Sequence, residues 1–239
     1  MDKNFSVLPA HIALIMDGNG RWARQKGMER TEGHKAGEDA FVRISSYCAS
    51  IGIPYATFYA FSTENWKRSE QEVSAIMNVF RHFLSSLGER IRSGEAPYRI
   101  RFMGDRGGMP DDIASLMEYA EKTSASVEGT TVTVALNYGG RDEIVRGVRN
   151  IAERIKAGEI SPDEITEDVI SASLDTSDIP DPDLIIRPSG ESRLSNFLLW
   201  QSAYAEIFVD GILWPDYMPA DLDRALEEYG RRNRRFGGI

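Results

Sequence analysis

Short apolar runs alternate with longer amphipathic stretches along most of the chain. Six runs have the length and the apolar or β-branched character of strands: His11–Met16, Tyr55–Phe61, Tyr98–Met103, Thr131–Asn137, Leu184–Arg187 and Glu206–Val209. Strands that alternate with helical stretches are typical of a mainly parallel sheet covered by helices. The pattern therefore predicts an α/β fold.

Two stretches between these runs have a helical pattern. Lys35–Ala49 is the first candidate for a crossover helix between strands. Gln71–Arg92 carries apolar residues at spacings of three and four, namely Val73, Ile76, Met77, Phe80, Leu84, Leu87 and Ile91. By pattern alone, this apolar face indicates a helix that packs on a core.

Polar and glycine-rich segments directly follow four of the apolar runs. They are Asp17–Arg21, Ser62–Arg68, Asn137–Arg141 and Arg187–Asn196. Ligands of open parallel sheets bind outside the carboxyl ends of the strands. We therefore expect the functional site at this edge, and the residue types favour an anionic ligand.

The first of these segments, Asp-Gly-Asn-Gly-Arg, predicts a sharp turn into a helix. Glycines at Gly18 and Gly20 allow the backbone amides to approach a ligand, and a helix that follows directs its positive end at that ligand. Asp17 adds a carboxylate of the kind that holds Mg²⁺ beside phosphate. Taken alone, the same residues also fit a tight turn without function.

Composition narrows the class of protein. The 239 residues are enough for one α/β domain, and we predict a single domain over 1–239. The formal net charge of −9 argues against nucleic acid as a partner. One cysteine, Cys48, and an amino terminus without the layout of a signal peptide predict a cytoplasmic protein.

Two further regions limit the alternatives. Ala157–Pro182 is acidic and contains several Ser, Thr and Pro residues, which predicts a short helix between exposed loops. No apolar run approaches the roughly 20 residues that a membrane span requires, so any lipid must be bound in a groove or pocket.

Several ordered blocks resemble the cis-prenyltransferases, and among them the bacterial undecaprenyl diphosphate synthase type. The blocks are HIALIMDGNGRWA, GHKAG, YAFSTENWKR, NYGGRDEI, DLIIRPSGESRLSNFLLWQSAYAEI, WPD and RRFGG. The resemblance implies a homodimer that condenses isopentenyl diphosphate onto an allylic diphosphate and creates Z double bonds. It also implies a central six-stranded parallel sheet and an elongated apolar tunnel.

The resemblance further implies an allylic diphosphate site built around the first block. The residues assigned to this site are Gly18, Asn19, Gly20, Arg21, Trp22, Arg30, His34, Trp66 and Arg68. Guanidinium groups suit a diphosphate because each offers paired donors to its oxygens. Asp17 would position Mg²⁺. His34 could hydrogen-bond or protonate the leaving diphosphate, because the pKa of histidine lies near neutral pH.

The block YAFSTENWKR matches a loop that covers both substrates in the family. The resemblance assigns catalytic roles to Ser62 and Asn65 there, beside Asp17 and His34, with Glu64 and Glu72 as weaker candidates. A closing loop would exclude water from a cationic allylic centre. The group that removes the C2 proton stays open among Asp17, Ser62, Asn65 and a diphosphate oxygen.

The fifth block matches the isopentenyl diphosphate site. Arg187, Arg193 and Ser195 have the family spacing R-x5-R-x-S, while Pro188 stands where the family commonly has Thr. Glu206 matches a second acidic residue near Mg²⁺ that reaches across the dimer. Arg235 and Gly237 match an element that completes the partner's site.

In the family's tunnel, the matching wall residues are Ala60, Ile76, Met77, Phe80 and Leu84. Ala60 is small where short-chain members can carry a bulkier residue, so we predict a medium or long product of about C50–C55.

A short-chain synthase and a non-catalytic partner subunit are the alternatives within the family. A phosphosugar or nucleotide enzyme is the alternative outside it, and it would place polar residues on Gln71–Arg92. The Asp-rich motif of trans-type synthases is absent, since Asp111-Asp112 continues as Ile-Ala-Ser.

Overall fold

The strands and helices follow the apolar runs closely. The computed structural model describes residue 5 and residues 7–232. In this part of the chain the strands are β1 His11–Ile15, β2 Tyr55–Ser62, β3 Arg99–Met103, β4 Thr131–Tyr138, β5 Leu184–Arg187 and β6 Glu206–Val209. The α-helices are α1 Asn19–Gln25, α2 Arg30–Ser50, α3 Glu70–Ser93, α4 Asp111–Ser124, α5 Gly140–Lys156, α6 Glu167–Ser171 and α7 Pro219–Arg231. The predicted strands are correct to within one residue at each end.

The strands form one sheet in the order β3-β4-β2-β1-β5-β6, and every neighbouring pair within the described residues is parallel. The prediction of a six-stranded parallel sheet in an α/β fold is therefore confirmed. After β4 the chain crosses from one side of β1 to the other, where β5 and β6 lie. This brings the carboxyl ends of β2, β1 and β5 side by side, which is where such sheets bind ligands.

Alternate residues of each strand face two different layers. In β1, Ile12 and Leu14 contribute to a large core with α2, α3, α4 and α7, whereas Ala13 and Ile15 contribute to a smaller core on the opposite face. A register irregularity at Phe61 in β2 interrupts this alternation. As a result, Ala60 and Phe61 both border the space beneath α3.

The first two helices pack unusually closely. Gly18 begins α1 with φ +112°, and a Cβ at Gly33 of α2 would lie only 2.1 Å from the Asn19 carbonyl oxygen. A Cβ at Gly37 would lie 2.6 Å from Asn19 Oδ1. Helix α2 begins at Arg30, five residues before the predicted start, because close packing on α1 compensates for the low helix propensity of Gly33. Arg30 and His34 are thereby placed on a helix beside the Gly-Asn-Gly-Arg turn.

Helix α3 agrees with its prediction to within one residue at each end. The Ser69 side chain accepts a hydrogen bond from the Glu72 amide at its start, and Gly94 ends it with φ +82°. The predicted short helix of the acidic region is α6. No helix of the described residues has the length and apolar character needed to cross a bilayer.

Candidate active site

A cavity of about 480 Å³ opens at the carboxyl ends of β1, β2 and β5. Its mouth is polar and its interior is apolar. The residues predicted from the sequence that line it are Asp17, Gly18, Asn19, Gly20, Arg21, Arg30, His34, Ala60, Ser62, Asn65, Arg68, Ile76, Phe80, Leu84, Arg187, Arg193 and Ser195. The fold therefore brings together residues that are up to 178 positions apart (17 to 195) in the sequence.

Asp17 lies at the centre of the mouth, directly after β1. Its carboxylate accepts a hydrogen bond from Arg187 Nη2 at 2.9 Å and lies 3.4 Å from Arg21 Nη2. Partial burial acts to raise the pKa of Asp17, but the hydrogen bond from Arg187 and the charge of Arg21 hold it below its usual value. Asp17 is therefore ionised at neutral pH and offers a hard anionic ligand.

Arg187 is held rigidly at the end of β5. Its side chain is only 5% exposed, and Nη1 donates to Ser195 Oγ at 2.8 Å and to the Arg193 carbonyl oxygen. The Arg187 Nε is buried without a partner. A bound anion would satisfy this donor, which supports the predicted site at Arg187, Arg193 and Ser195.

A second group of charges lies between α2 and α3. Glu72 accepts a hydrogen bond from Arg68 Nη1 at 2.7 Å and lies 3.1 Å from Arg30 Nη1. Glu72 is thus the counter-ion of both arginines, in addition to providing the amide that Ser69 caps. An incoming diphosphate would compete with this carboxylate for the same donors.

His34 is mostly buried beside this group. Burial, followed by the positive charges of Arg68 and Arg30, lowers its pKa to about 4. The expectation of a pKa near neutral is therefore wrong for the protein without substrate, where the imidazole is uncharged at pH 7. Its Nε2 is buried without a partner. A phosphate oxygen would supply that partner, and its negative charge would raise the pKa.

The predicted covering loop is a short 3-10 turn, Thr63–Lys67, that follows β2. Within it, Asn65 Oδ1 accepts a hydrogen bond from the Ser62 amide at 3.2 Å. Trp66 does not line the cavity: its indole N–H donates to Asn137 Oδ1 at 2.7 Å, and its ring packs edge-on against Phe61. The predicted contact of Trp66 with the allylic diphosphate stays a prediction, with the side chain placed beside the cavity wall at Phe61.

Three other assigned residues, Trp22, Met77 and Glu206, do not line the cavity. The Trp22 indole donates to Asp216 at 2.7 Å, and Glu206 pairs with Arg232 at 2.7 Å. Met77 is 3% exposed and belongs to the core beneath the cavity. Arg235 and Gly237 lie outside the described residues. Among residues 5 and 7–232, no group of three or more His, Cys, Asp or Glu side chains could hold a metal.

Aromatic rings border the apolar interior of the cavity. Its lining includes Phe41 and Phe83, whose rings meet edge-on with centroids 5.3 Å apart. Phe41 also packs against the fully buried Phe58, and the amino-terminal half of this sheet face is filled by core side chains. The sequence pattern identified neither ring, since an aromatic residue on a core-facing helix has no special signal. Glu38, which also lines the cavity, was likewise missed.

Comparisons with known proteins agree with this geometry. A family model described as putative undecaprenyl diphosphate synthase matches residues 15–237. The chain belongs to this family. It is therefore a prenyltransferase, as the predicted resemblance implied.

Its relatives include enzymes with different products. The isoprenyl transferase of Clostridium perfringens is 47% identical over 97% of this chain and 91% of its own. The lavandulyl diphosphate synthase of Lavandula x intermedia, solved with dimethylallyl diphosphate, is 36% identical with a TM-score of 0.92 over 96% of this chain and 98% of its own. A probable undecaprenyl diphosphate synthase from Campylobacter jejuni is 30% identical with a TM-score of 0.79, covering 97% and 99% of the two chains.

Proposed function

We propose that this prenyltransferase condenses isopentenyl diphosphate onto an allylic diphosphate, with farnesyl diphosphate as the primer, and forms Z double bonds. The observation that carries this proposal is the cavity itself, which joins an arginine-rich mouth to an apolar interior. Such a cavity suits a substrate with an anionic head and a hydrocarbon tail. The dimethylallyl diphosphate bound in the Lavandula enzyme supports an allylic substrate.

In this proposal the mouth holds two diphosphates. Arg21, Arg30 and Arg68, with the turn amides of Gly18–Arg21, bind the allylic diphosphate. Arg187, Arg193 and Ser195 bind isopentenyl diphosphate. Positive charge at both places stabilises the negative charge that develops on the leaving group.

Mg²⁺ fits the residues present. Asp17 is an ionised carboxylate beside the arginines, and Mg²⁺ in phosphate sites uses one or two carboxylates together with phosphate oxygens and water. When bound, the metal supplies charge neutralisation for the leaving diphosphate. Glu206 remains a candidate only for a partner's site, because in its own chain it pairs with Arg232.

The bond changes follow from the two bound substrates. The C1–O bond of the allylic diphosphate breaks, C1 bonds to C4 of isopentenyl diphosphate, and C2 of that substrate loses a proton. Asn65 Oδ1 already accepts the Ser62 amide, and the pKa of Asp17 is lowered. We therefore assign the proton to an oxygen of the leaving diphosphate, which becomes more basic as it departs.

A homodimer in the cytoplasm is part of the proposal. Glu206 stands on the edge strand β6, whose Ile207 and Val209 are 43% and 39% exposed. Val145 and Val148 of α5 are also exposed. A partner subunit that covered these apolar side chains would bring its own site close to Glu206. Peripheral contact with a membrane would serve release of the product.

Product length has two candidates. Ala60 leaves space beside the mouth and supports the predicted carrier-lipid precursor of about C50–C55. A product of that length requires the tail to pass Phe41 and Phe83. A short-chain product that ends at these rings is the second candidate, and their edge-on contact is the observation that favours it.

One experiment tests both the reaction and the length. Purified protein is incubated with labelled isopentenyl diphosphate, farnesyl diphosphate and Mg²⁺, and the products are resolved by length and double-bond geometry. We expect Z-polyprenyl diphosphates, and their absence would contradict the proposed function. If the rings end the tunnel, Phe41→Ala lengthens the product. If the tail already passes them, only Ala60→Leu changes the length, by shortening it, since overpacking costs roughly 1–3 kcal/mol.

A further inference from the structure

A carboxylate with no assigned role, Glu191, pairs with two arginines that line the cavity. Glu191 follows the turn after β5, in which Ser189 and Gly190 have φ +83° and +78°. The amides of these two residues donate to the carbonyl oxygens of Ile212 at 2.7 Å and Asp210 at 2.6 Å. These bonds hold the turn against the segment after β6 and place Glu191 beside the proposed diphosphate subsites.

Glu191 is shared between two arginines that belong to different subsites. One carboxylate oxygen lies 3.5 Å from Arg21 Nη1, and the other accepts a hydrogen bond from Arg193 Nη1 at 2.6 Å. Arg21 lies in the proposed allylic subsite and Arg193 in the proposed isopentenyl subsite. Glu191 is only 32% exposed, so its charge is incompletely screened by water.

We propose that Glu191 couples the two diphosphate subsites, as a shared counter-ion that each diphosphate must displace. The proposal deepens the proposed function and rests on it for the assignment of the two subsites. A diphosphate that takes Arg21 leaves the whole carboxylate to Arg193. The second diphosphate then competes with a counter-ion that is no longer divided, so each anion weakens the binding of the other.

This antagonism suits a reaction that repeats. After each addition, inorganic diphosphate must leave the allylic subsite, and the lengthened diphosphate must take its place. A carboxylate that returns to whichever arginine is vacated would favour departure of the anion. Glu191 would thus set how readily the two subsites exchange their ligands.

Two other carboxylates that pair with arginines of the cavity differ from Glu191. Glu72 pairs with Arg30 and Arg68, which lie in one subsite, so it lowers affinity there without linking the two. Asp17 contacts Arg21 and Arg187, but it is the candidate Mg²⁺ ligand, and a bound cation would take up its charge. Glu72 therefore provides a matched control.

The coupling between the two subsites can be measured with the full chain at a constant Mg²⁺ concentration. The Kd of isopentenyl diphosphate is determined by calorimetry with and without a saturating farnesyl thiolodiphosphate, which resists ionisation. The ratio of the two Kd values is the coupling factor. We expect Glu191→Gln to reduce this factor about tenfold, within the usual range for coupled sites, and Glu72→Gln to leave it unchanged.

A second variant distinguishes a carboxylate that must contact both arginines from one that acts through its charge alone. Glu191→Asp keeps the charge but is one methylene shorter, so it cannot contact both arginines, and we expect it to reduce the factor as well. The inference would be overturned if the coupling factor of Glu191→Gln equalled that of wild type. It would also be overturned if Glu191→Gln reduced the factor and Glu191→Asp did not. If wild type binds neither ligand, the proposed function fails along with it. If wild type makes prenyl products with a factor insensitive to Glu191, only the inference fails.

Discussion

The two faces of the sheet differ in what covers them: one borders an open cavity, and the other packs against a smaller core. On the face covered by α2 and α3, charged side chains surround an open cavity, and Arg187 Nε and His34 Nε2 are buried without partners. On the opposite face, Tyr59 and Phe197 stack with ring centroids 4.5 Å apart within the smaller core. The open face thus contains two buried polar atoms for which a bound anion would supply a partner.

On the closed face, one buried carboxylate has several hydrogen-bond partners. Glu143 is 1% exposed and accepts hydrogen bonds from the Tyr138 hydroxyl at 2.5 Å, the Asp175 amide at 3.0 Å and Gln201 Nε2 at 3.1 Å. Burial raises the pKa of this carboxyl, although its hydrogen bonds oppose the change. Such a network stabilises the fold, whereas the arginines at the cavity are placed to bind an anion.

The largest effect is expected at Asp17. Asp17→Asn keeps an acceptor for Arg187 but removes the charge, so we expect turnover to fall by about 100- to 1,000-fold with little change in Tm. Steady-state kinetics with Mg²⁺ and thermal melting check this. Asp178→Asn, at a largely exposed carboxylate, is the control. Retention of most of the activity would remove Asp17 from the mechanism.

A change on the closed face should have the opposite signature. Glu143→Ala leaves three donors without their acceptor, so we expect the free energy of unfolding to fall by about 3 kcal/mol. Activity per folded molecule should persist below the transition. Urea unfolding measures the loss, with Glu153→Ala on the exposed side of the same helix as control. A loss of turnover at full stability would show that this face takes part in catalysis.

Substitutions in the proposed isopentenyl subsite should act mainly on the KM for isopentenyl diphosphate. Arg187→Ala or Arg193→Ala removes a charge-assisted contact worth roughly 1.5–3 kcal/mol, so we expect the KM for isopentenyl diphosphate to rise about 10- to 150-fold. The KM of the allylic substrate should change much less. Initial rates with each substrate varied in turn distinguish the two, and the reverse outcome would mean that the subsites are exchanged.

The two faces also differ in how their histidines respond to ligand. Burial lowers the pKa of both His11 and His34 to about 4, so each lowers the free energy of unfolding as pH falls from 6.5 toward 4. His11 has partners, since Nδ1 donates to the Pro180 carbonyl and Nε2 accepts from Thr57 Oγ1. We expect diphosphate to raise the pKa of His34 and to leave that of His11 unchanged. NMR titration of the imidazoles measures this, and equal responses would refute the distinction.

Local patterns predicted most of the fold. The strands, α3 and the short helix of the acidic region depend on apolar periodicity and on end signals such as Ser69 and Gly94, which are readable in sequence. Helix α2 was predicted too short because its first turn depends on contact between Gly33 and Asn19, and those residues are apart in the chain. Helix propensity depends on the type of each residue, so it cannot indicate a contact between residues of two different helices.

The sequence alone predicted an anion site at the carboxyl edge of the sheet, and the family resemblance implied that the anion is a diphosphate. Only the tertiary structure decided which of those residues meet. It placed Trp66 on Asn137, paired Glu206 with Arg232, set Phe41 against Phe83 and gave Glu191 to two arginines at once. Spacing along the chain specifies which side chains are available at the sheet edge. Packing of separate elements decides their partners, their burial and therefore their charge.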